Sequence, residues 1–390
     1  MKMPRFAVTA VWLVVLALTG FSCASEQQEN AVSIPAPAKT PQAKVALYVD
    51  DGSGGMGVFH WARLIAHSPK LELSLITGKE VREGGLKGKD LVVFPGGFSP
   101  RQYRSLKEEG AAAVRDFVAA GGSYLGVCAG FASALNCKER IRLLPFGRKP
   151  QSGGKLAKLL VMITERGGKV LDIKPGKYLV RYNGGPIACP GEKPGEGWGE
   201  GLALFKNTVS YHNKPEGNFF DTPAIIHGQF GKGKVIATSF HPESYQSTHP
   251  IALGCIYAVT GVKPETVLPA EAPFSVKAGF CTAYARPNRT NVDLMLALDR
   301  HPGITMKFID GHEIDVGNLD VIDVLVLPEM AESSCKKFCE SQKIPLQRFL
   351  ARGGRVVGPE RALQFLPGKA HAKAAKTRED YIRHILSKEW

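Results

Sequence analysis

This 390-residue chain lacks several features, and each absence argues against a class of protein. No long Lys/Arg block is interleaved with aromatic residues, which disfavours a nucleic-acid-binding protein although the formal charge is +14. No apolar run reaches the ~20 residues that a membrane-spanning helix needs, which excludes a multi-span membrane protein. Hydrophobic residues make up 44% and charged residues 22%, so the chain as a whole is neither disordered nor collagen-like.

Paired cysteines at metal-ligand spacing are also scarce. The eight cysteines are Cys23, Cys128, Cys137, Cys189, Cys255, Cys281, Cys335 and Cys339. Cys335 and Cys339 would share one face of a helix, but no second pair lies near them, so we expect no zinc site. We expect no cofactor either, and most of the other cysteines are interpreted as buried apolar residues.

The first 24 residues have the pattern of an export signal. Lys2 and Arg5 precede the apolar run Phe6–Phe21, and small residues follow it. Residues 25–43 contain Gln, Pro, Ala and Lys with little periodicity, which predicts a flexible linker. The sequence therefore predicts an exported bacterial protein.

Two cleavage sites are compatible with this signal. The segment 18–23 resembles a bacterial lipobox, with Cys23 as the lipidated residue, although Gly20 stands where that motif usually has an aliphatic residue. Cleavage after Ala24 is the alternative. The first predicts a lipoprotein anchored to the membrane through Cys23, and the second a soluble periplasmic protein; the oligomeric state stays open.

Strands and helices alternate from residue 44 onward. Apolar runs predict strands over 44–50, 71–77, 90–94 and 123–127, with helices over 58–67 and 103–120. This alternation indicates the α/β class, with a parallel, flavodoxin-like sheet. Further on, 224–230 and 234–240 read as a hairpin, followed by a closing helix over 248–259.

Ligands of such sheets bind beyond the carboxyl ends of the strands, where Asp51, Gly97 and Cys128 fall. The segment Gly126–Gly130 places Cys128 between a strand and a helix, as in a nucleophile elbow. A helix N-terminus favours the thiolate form of a cysteine, and the Ala129 N–H and Gly97 are placed to hold an oxyanion.

A base for this thiol is found after the hairpin. His241 and Glu243 are two residues apart, so in an extended segment their side chains point to the same side. Glu243 could then orient the imidazole of His241 toward Cys128. The sequence predicts a Cys-His-Glu triad.

The motifs GVCAG at 126–130 and SFHPE at 239–243 resemble the class I glutamine amidotransferase fold. The turn PGG at 95–97 and the segment RYNGGP at 181–186 resemble a narrower branch, the biotin-protein ligase N-terminal-domain-like family. The resemblance covers residues 44–262 and implies that Cys128 is the nucleophile, His241 the base and Glu243 its orienter. It also implies Gly97 and Ala129 as oxyanion donors. The related peptidase branch commonly has His after the Cys, where Ala129 stands here.

Three further residues are candidate substrate contacts. Tyr182 and Asn183 lie in the RYNGGP segment, although an Asn-Gly-Gly stretch is more often a simple turn. Asp51 follows the first strand, where an acidic residue either contacts substrate or caps a helix.

The C-terminal part contains an echo of the first. Residues 90–95 resemble 323–328, and residues 117–126 resemble 349–358, at offsets of 233 and 232. In this register Glu360 replaces Cys128 and Met330 replaces Gly97. We therefore divide the chain into the signal 1–24, a linker 25–43, an amidotransferase-like domain 44–268 and a degenerate half-repeat 269–390 that lacks the nucleophile.

Two functions remain open at this point. The first is an exported cysteine-dependent amide hydrolase that uses an acyl-enzyme, with a small-molecule or peptide amide as substrate. The second is a binding or scaffold protein that keeps the fold without turnover. A biotin-related function would rest on the family label alone.

Overall fold

A computed structural model of the chain describes residues 42–148, 156–189, 201–207, 220–271, 273–310, 317–368 and 371–389. The predicted signal, its Cys23 and nearly all of the linker 25–43 lie outside these ranges. Within them, no helix combines the length and apolar character that crossing a bilayer requires. The described strands and helices belong to one compact unit, Lys39–Trp390.

The first part of the chain forms eleven described strands. In chain order the first six are β1 Ala43–Tyr48, β2 Leu71–Ile76, β3 Leu91–Phe94, β4 Ser123–Val127, β5 Gly147–Arg148 and β6 Ala157–Ile163. The other five are β7 Gly176–Tyr182, β8 Ala188–Cys189, β9 Ala203–Phe205, β10 Pro223–Phe230 and β11 Gly233–Thr238. Nine of them form one sheet in the order β2-β1-β3-β4-β11-β10-β9-β6-β7, and β5 and β8 form a separate pair. The helices of this part are α1 Gly55–Ala66, α2 Gly78–Arg82, α3 Ser99–Ala119, α4 Ala129–Ala134, α5 Glu165–Leu171 and α6 His249–Thr260.

The α/β class predicted from the sequence is confirmed, but the expectation of a purely parallel sheet is wrong. β1 to β4 and β11 run parallel, and the hairpin β10–β11 turns the direction of the sheet. β9, β6 and β7 then add antiparallel strands. The central strands β3 and β4 are buried over their whole length, which explains the continuous apolar sequence of β3.

The second sheet has five parallel strands in the order β13-β12-β14-β15-β16. Its strands are β12 Val276–Cys281, β13 Ile304–Ile309, β14 Val324–Val326, β15 Arg355–Gly358 and β16 Ala372–Ala374. Its helices are α7 Arg289–Arg300, α8 Glu332–Ser341, α9 Lys343–Ala351, α10 Glu360–Leu363 and α11 Arg378–Leu386. β16 follows the residues that echo the first sheet and completes a five-stranded sheet.

Strand pairing in the two sheets follows one register. Val45 pairs with Leu91 in the first sheet and Ala278 with Val324 in the second, each displaced by 233 positions. A side-chain hydrogen bond repeats as well. The N–H of Lys44 donates to Asp90 at 2.7 Å, and the N–H of Lys277 donates to Asp323 at 2.8 Å. The offsets of the sequence echo are thus also offsets of the backbone geometry.

The two sheets share a hydrophobic core through α1 and α7. The rings of Phe59 and Phe280 meet edge to face at 5.2 Å between centroids. Beside them, Arg63 donates two hydrogen bonds of 2.8 Å to the buried Asp299, and His67 Nε2 lies 2.8 Å from the same carboxylate. This packing fixes the second sheet next to the carboxyl ends of the first.

Candidate active site

Cys128 lies at a sharp turn between β4 and α4. Its backbone has φ 51° and ψ −98°, a conformation that non-glycine residues rarely adopt. Gly130 permits the turn, because a Cβ at this position would come within 2.1 Å of the Phe94 carbonyl oxygen. Backbone strain of this kind persists only where the surrounding structure holds the residue in place, and it is frequent at functional sites. The sharp strand-to-helix turn predicted at Cys128 is therefore observed.

Sheet order explains why His241 reaches this turn. β11 is the parallel neighbour of β4, with Thr238 opposite Val127 at the carboxyl ends of both strands. The N–H of Cys128 donates to the Thr238 carbonyl at 2.8 Å. Ser239 and Phe240 then lead to His241 at the same edge of the sheet, and the His241 N–H donates to the Arg181 carbonyl at 2.8 Å.

His241 stands between a carboxylate and a thiol. Its Nδ1 lies 2.8 Å from Glu243 Oε1, and Glu243 is fully buried. Burial by itself lowers the pKa of His241. The charge of Glu243 and the charge and hydrogen bond of Cys128 outweigh burial and raise this pKa to about 10. Glu243 Oε2 has no hydrogen-bond partner among the described residues. At neutral pH His241 therefore carries a proton next to the sulfur.

Two glycines after β3 complete the surroundings of the sulfur. A Cβ on Gly96 would lie 2.4 Å from His241 Cε1, so the imidazole packs where only a glycine fits. Gly97 has φ 140° and lines the same cavity as Cys128. The bridge between Gly97 and Ser53 does not use the Gly97 N–H, because its bonds are Gly54 N–H to Gly96 and Phe98 N–H to Gly52. Ala129 begins α4, so its N–H belongs to the unpaired first turn of the helix.

The sulfur and the imidazole face a cavity of about 360 Å³. Its walls include the N-terminal turn of α1, the turn after β3 and Asn183 of the first sheet, together with Thr282, Ala283 and Asp310 of the second. Arg181 Nη2 donates to Asp310 at 3.0 Å inside this wall, and both side chains are largely buried. The second sheet thus forms part of the cavity that contains Cys128.

The other sequence-predicted residues fall in different places. Asn183 lines the cavity, and its carbonyl accepts a 3.6 Å hydrogen bond from the Cys128 thiol. Tyr182 does not line it: its buried ring packs on Phe205, and its hydroxyl donates to the Gly185 carbonyl at 2.6 Å. The expectation that Tyr182 contacts substrate is corrected, because alternation along β7 turns its side chain into the core.

Asp51 is exposed and lines a neighbouring cleft instead of the cavity around Cys128. The preceding residue, Asp50, has the capping role that was one of the two alternatives for Asp51. It accepts from the Gly78 N–H at 2.8 Å and from the Ser105 hydroxyl at 2.6 Å, which ties β1 to the start of α2 and to α3.

Sequence reasoning missed Gly96, Arg181 and Asp310. Gly96 belongs to the same PGG turn as Gly97, so the turn motif could have identified it. Arg181 was visible as the basic residue of the RYNGGP segment. Nothing in the sequence pointed to Asp310, because its place depends on how the second sheet packs against the first.

Burial disfavours the thiolate form of four other described cysteines. Burial raises the pKa of Cys255 and Cys281 far above the ordinary range, raises that of Cys339 to about 12 and also raises that of Cys335. Among the described residues all of these are free thiols. Cys128 is buried as well, at 5% exposure, but it differs from these four in facing a cavity and a charged imidazole.

The fold and this site define an α/β protein whose Cys, His and Glu side chains meet at the carboxyl edge of a mixed sheet. Residues 44–138 match the family described as biotin-protein ligase, N terminal. The family resemblance predicted from the motifs is confirmed for this segment.

Two further kinds of similarity were found. A biotin–protein ligase of Schizosaccharomyces pombe is 27% identical over 185 residues, which are 41% of this chain and 26% of the relative. The chain therefore spans about a quarter of that relative's length. PurLQS from Thermotoga maritima has a TM-score of 0.41 at 16% identity over 55% of this chain and 98% of that one. A ThuA-like protein from Bacteroides uniformis has a TM-score of 0.40 at 14% identity over 57% and 92% of the two chains. Similarities at this level carry no argument about activity.

Proposed function

We propose that this chain is an exported thiol hydrolase that cleaves amides through a covalent acyl-enzyme. One observation supports the activity above all: Cys128, held at φ 51° on an elbow, faces a cavity beside the His241–Glu243 pair. The raised pKa of His241 places a protonated imidazole beside the sulfur, where it can donate its proton to a leaving amine. Export is supported by the charge and hydropathy pattern of residues 1–24.

The reaction follows from these groups in two steps. The Cys128 thiolate attacks the amide carbonyl, a C–S bond forms, and the carbonyl electron pair moves to oxygen, where the N–H groups of Gly97 and Ala129 stabilise it. His241 gives its proton to the amide nitrogen, the C–N bond breaks, and the amine or ammonia leaves. Water then attacks the thioester carbonyl while His241 takes a proton from the water. The C–S bond breaks, the carboxylic acid is released, and the sulfur keeps the electron pair of that bond as the thiolate.

Glu243 has a positioning role in this scheme. Its carboxylate holds Nδ1 of His241, so that the other ring nitrogen faces the sulfur and the imidazolium is stabilised. Arg181 and Asp310 form the wall beside the reacting atoms, which makes the second sheet part of the active site although it has Glu360 in place of a nucleophile.

The test is hydrolysis of a panel of primary amides and short peptide amides by the full chain, measured as released ammonia or amine. We expect Cys128→Ala to lower the rate by a factor of roughly 1,000 or more. Cys137→Ala serves as the matched control and should keep the rate. Equal rates for wild type and Cys128→Ala would exclude the mechanism. An inert panel together with an unreactive Cys128 would favour a binding protein that has kept the fold.

A further inference from the structure

A second cleft of about 520 Å³ lies next to the catalytic cavity. Four strand ends contribute to it: the turns after β1 and β3 from the first sheet, and those after β12 and β14 from the second. The strand order reverses at β1 in the first sheet and at β12 in the second. Ligands of doubly wound folds bind at such points, and here the two points share one cleft.

The cleft and the catalytic cavity adjoin. Gly97 lines both of them. The chain neighbours Ser53 and Gly54 line one each, and so do Ala283 and Tyr284. A molecule whose amide lies at Cys128 can therefore extend past Gly97 into the cleft without leaving the surface.

Two large aromatic side chains are unusually exposed in this cleft. Phe98 is 57% exposed and follows Gly97 directly, and Tyr284 is 41% exposed. Tyr284 also has φ 60°, a conformation that is unfavourable for a bulky residue. Its ring is held by an edge contact with Phe338 at 6.5 Å and by Lys337 at 5.6 Å. Exposed aromatic residues in a cleft indicate a binding surface for a planar, apolar group.

The charged groups around these rings are mixed in sign. Asp51 and Arg101 are both exposed there, whereas Arg286 is paired with Glu329. Asp50 also lines the cleft, so its charged lining groups are two carboxylates and two guanidinium groups. A cleft with balanced charge and two rings fits an uncharged, hydrogen-bonding chain with an aromatic substituent better than it fits a polyanion or a polycation.

We propose that this cleft binds the part of the substrate beyond the scissile amide, and that this part is peptide-like and carries an aromatic ring. The proposal rests on the proposed amide hydrolysis and names its substrate class. The scissile carbonyl occupies the 360 Å³ cavity at Cys128, and the aromatic group lies on Phe98 and Tyr284 in the 520 Å³ cleft.

Binding can be measured without turnover in the full chain carrying Cys128→Ala, by titration calorimetry with two matched pairs of probes. N-acetyl-phenylalanyl-alaninamide against N-acetyl-alanyl-alaninamide places a ring on the acyl side of the amide. N-acetyl-alanine benzylamide against the methylamide places it on the amine side. We expect the aromatic member of at least one pair to bind roughly tenfold more tightly.

Substitutions locate this preference. Phe98→Ala combined with Tyr284→Ala should abolish it, and both side chains are exposed, so the fold should persist by circular dichroism. Phe274→Ala is the matched control, because Phe274 is fully exposed before the amino end of β12, the end away from the cleft. It should leave the preference unchanged.

Equal binding within both pairs, no binding of either aromatic probe, or a preference that survives the double substitution would each overturn the proposal. These results are independent of catalysis. A ring preference in calorimetry without ammonia or amine release by wild type would contradict the proposed hydrolysis and leave the cleft as a ligand site. Hydrolysis by wild type without a ring preference would contradict the proposed role of the cleft and leave the proposed hydrolysis standing.

Discussion

Cys128 and His241 show how single residues create the site. The φ of 51° at Cys128 is an unfavourable backbone conformation, and the absence of a Cβ at Gly96 leaves room for the imidazole of His241. Together they place a thiol and an imidazole side by side. Neither feature contributes to the packing of the core by itself. They are explained together if the sulfur and the ring act on a molecule in the cavity.

Gly96→Ala tests the position of the imidazole. The added Cβ would lie 2.4 Å from His241 Cε1, so the ring must move. We expect amide hydrolysis to fall by roughly 100-fold, the loss that a displacement of about 1 Å can cause. Gly368→Ala is the control, since its Cβ would meet only Leu350 Cδ1 at 3.7 Å. Full activity of Gly96→Ala would show that the position of His241 does not matter.

The protonation of His241 also affects stability. Its pKa is raised to about 10 in the folded chain, against about 6.5 when unfolded. The stabilisation is therefore fully present below about pH 6.5 and is lost as the pH rises through about 10. Urea unfolding of wild type and His241→Gln at pH 6, 8 and 10.5 should show the difference in unfolding free energy shrinking with pH. A difference that grows with pH would contradict the charged imidazole.

At the scale of elements, α1 and α7 join the two sheets. Asp299 of α7 is 2% exposed and takes both hydrogen bonds of Arg63 from α1. Burial raises the pKa of Asp299, but His67 and Arg63 outweigh it and hold the pKa below the usual range. The carboxylate therefore stays charged inside the interface, and its partners depend on it.

Asp299→Ala should lower the free energy of unfolding by about 3–5 kcal/mol, because it leaves the Arg63 guanidinium without its buried partner. The exposed Asp293 on the same helix gives the control, and Asp293→Ala should change stability by less than about 0.5 kcal/mol. The lowered pKa means that this contribution is present above about pH 4 and is lost as the pH falls through the folded value. Denaturant unfolding at pH 7 and pH 3 measures both effects.

The elements that the sequence predicted well are those marked by apolar runs and turn residues that are close together in the chain. Residues 123–127 are β4 as predicted, and the hairpin at 224–240 is β10 and β11 within one or two residues. Cys128, His241 and Glu243 were found because turn and motif residues lie next to them in the chain. β6, β7 and β9 were not placed, because their pairing partners depend on contacts between distant segments.

Tyr182 and Asp310 show where sequence reasoning fails. An apolar ring next to a turn could face either the core or a pocket, and only the alternation of β7 within the sheet decides that Tyr182 is buried. Asp310 reaches the cavity because α1 and α7 set the position of the second sheet. No local pattern encodes a contact of that kind.

At the scale of the molecule, the second sheet has the strand order of β1 to β4 and no thiol at the equivalent of the elbow. We infer a duplication in which one copy kept the chemistry and the other became a wall of the cavity. The shared register offset of 233 and the repeated bond from Lys277 to Asp323 support this inference.

Ending the chain at residue 268 tests how much the first sheet depends on the second. We expect a lower free energy of unfolding and more binding of a hydrophobic dye, because Phe59 loses Phe280 and the apolar face of α1 becomes exposed. Phe280→Ala in the full chain should by itself cost about 3–5 kcal/mol. A shortened chain as stable as the whole would show that the two sheets are independent.

The central claim is that Cys128 is a reactive nucleophile beside His241, and alkylation measures its reactivity directly. Iodoacetamide labelling of the full chain at pH 7, followed by peptide mass spectrometry, gives a rate for each cysteine. Cys137 is more exposed than Cys128, so exposure alone would label Cys137 faster. We predict that Cys128 reacts at least roughly tenfold faster than Cys137 and that His241→Ala removes this advantage. Equal rates, or a Cys128 rate unchanged by His241→Ala, would contradict the account.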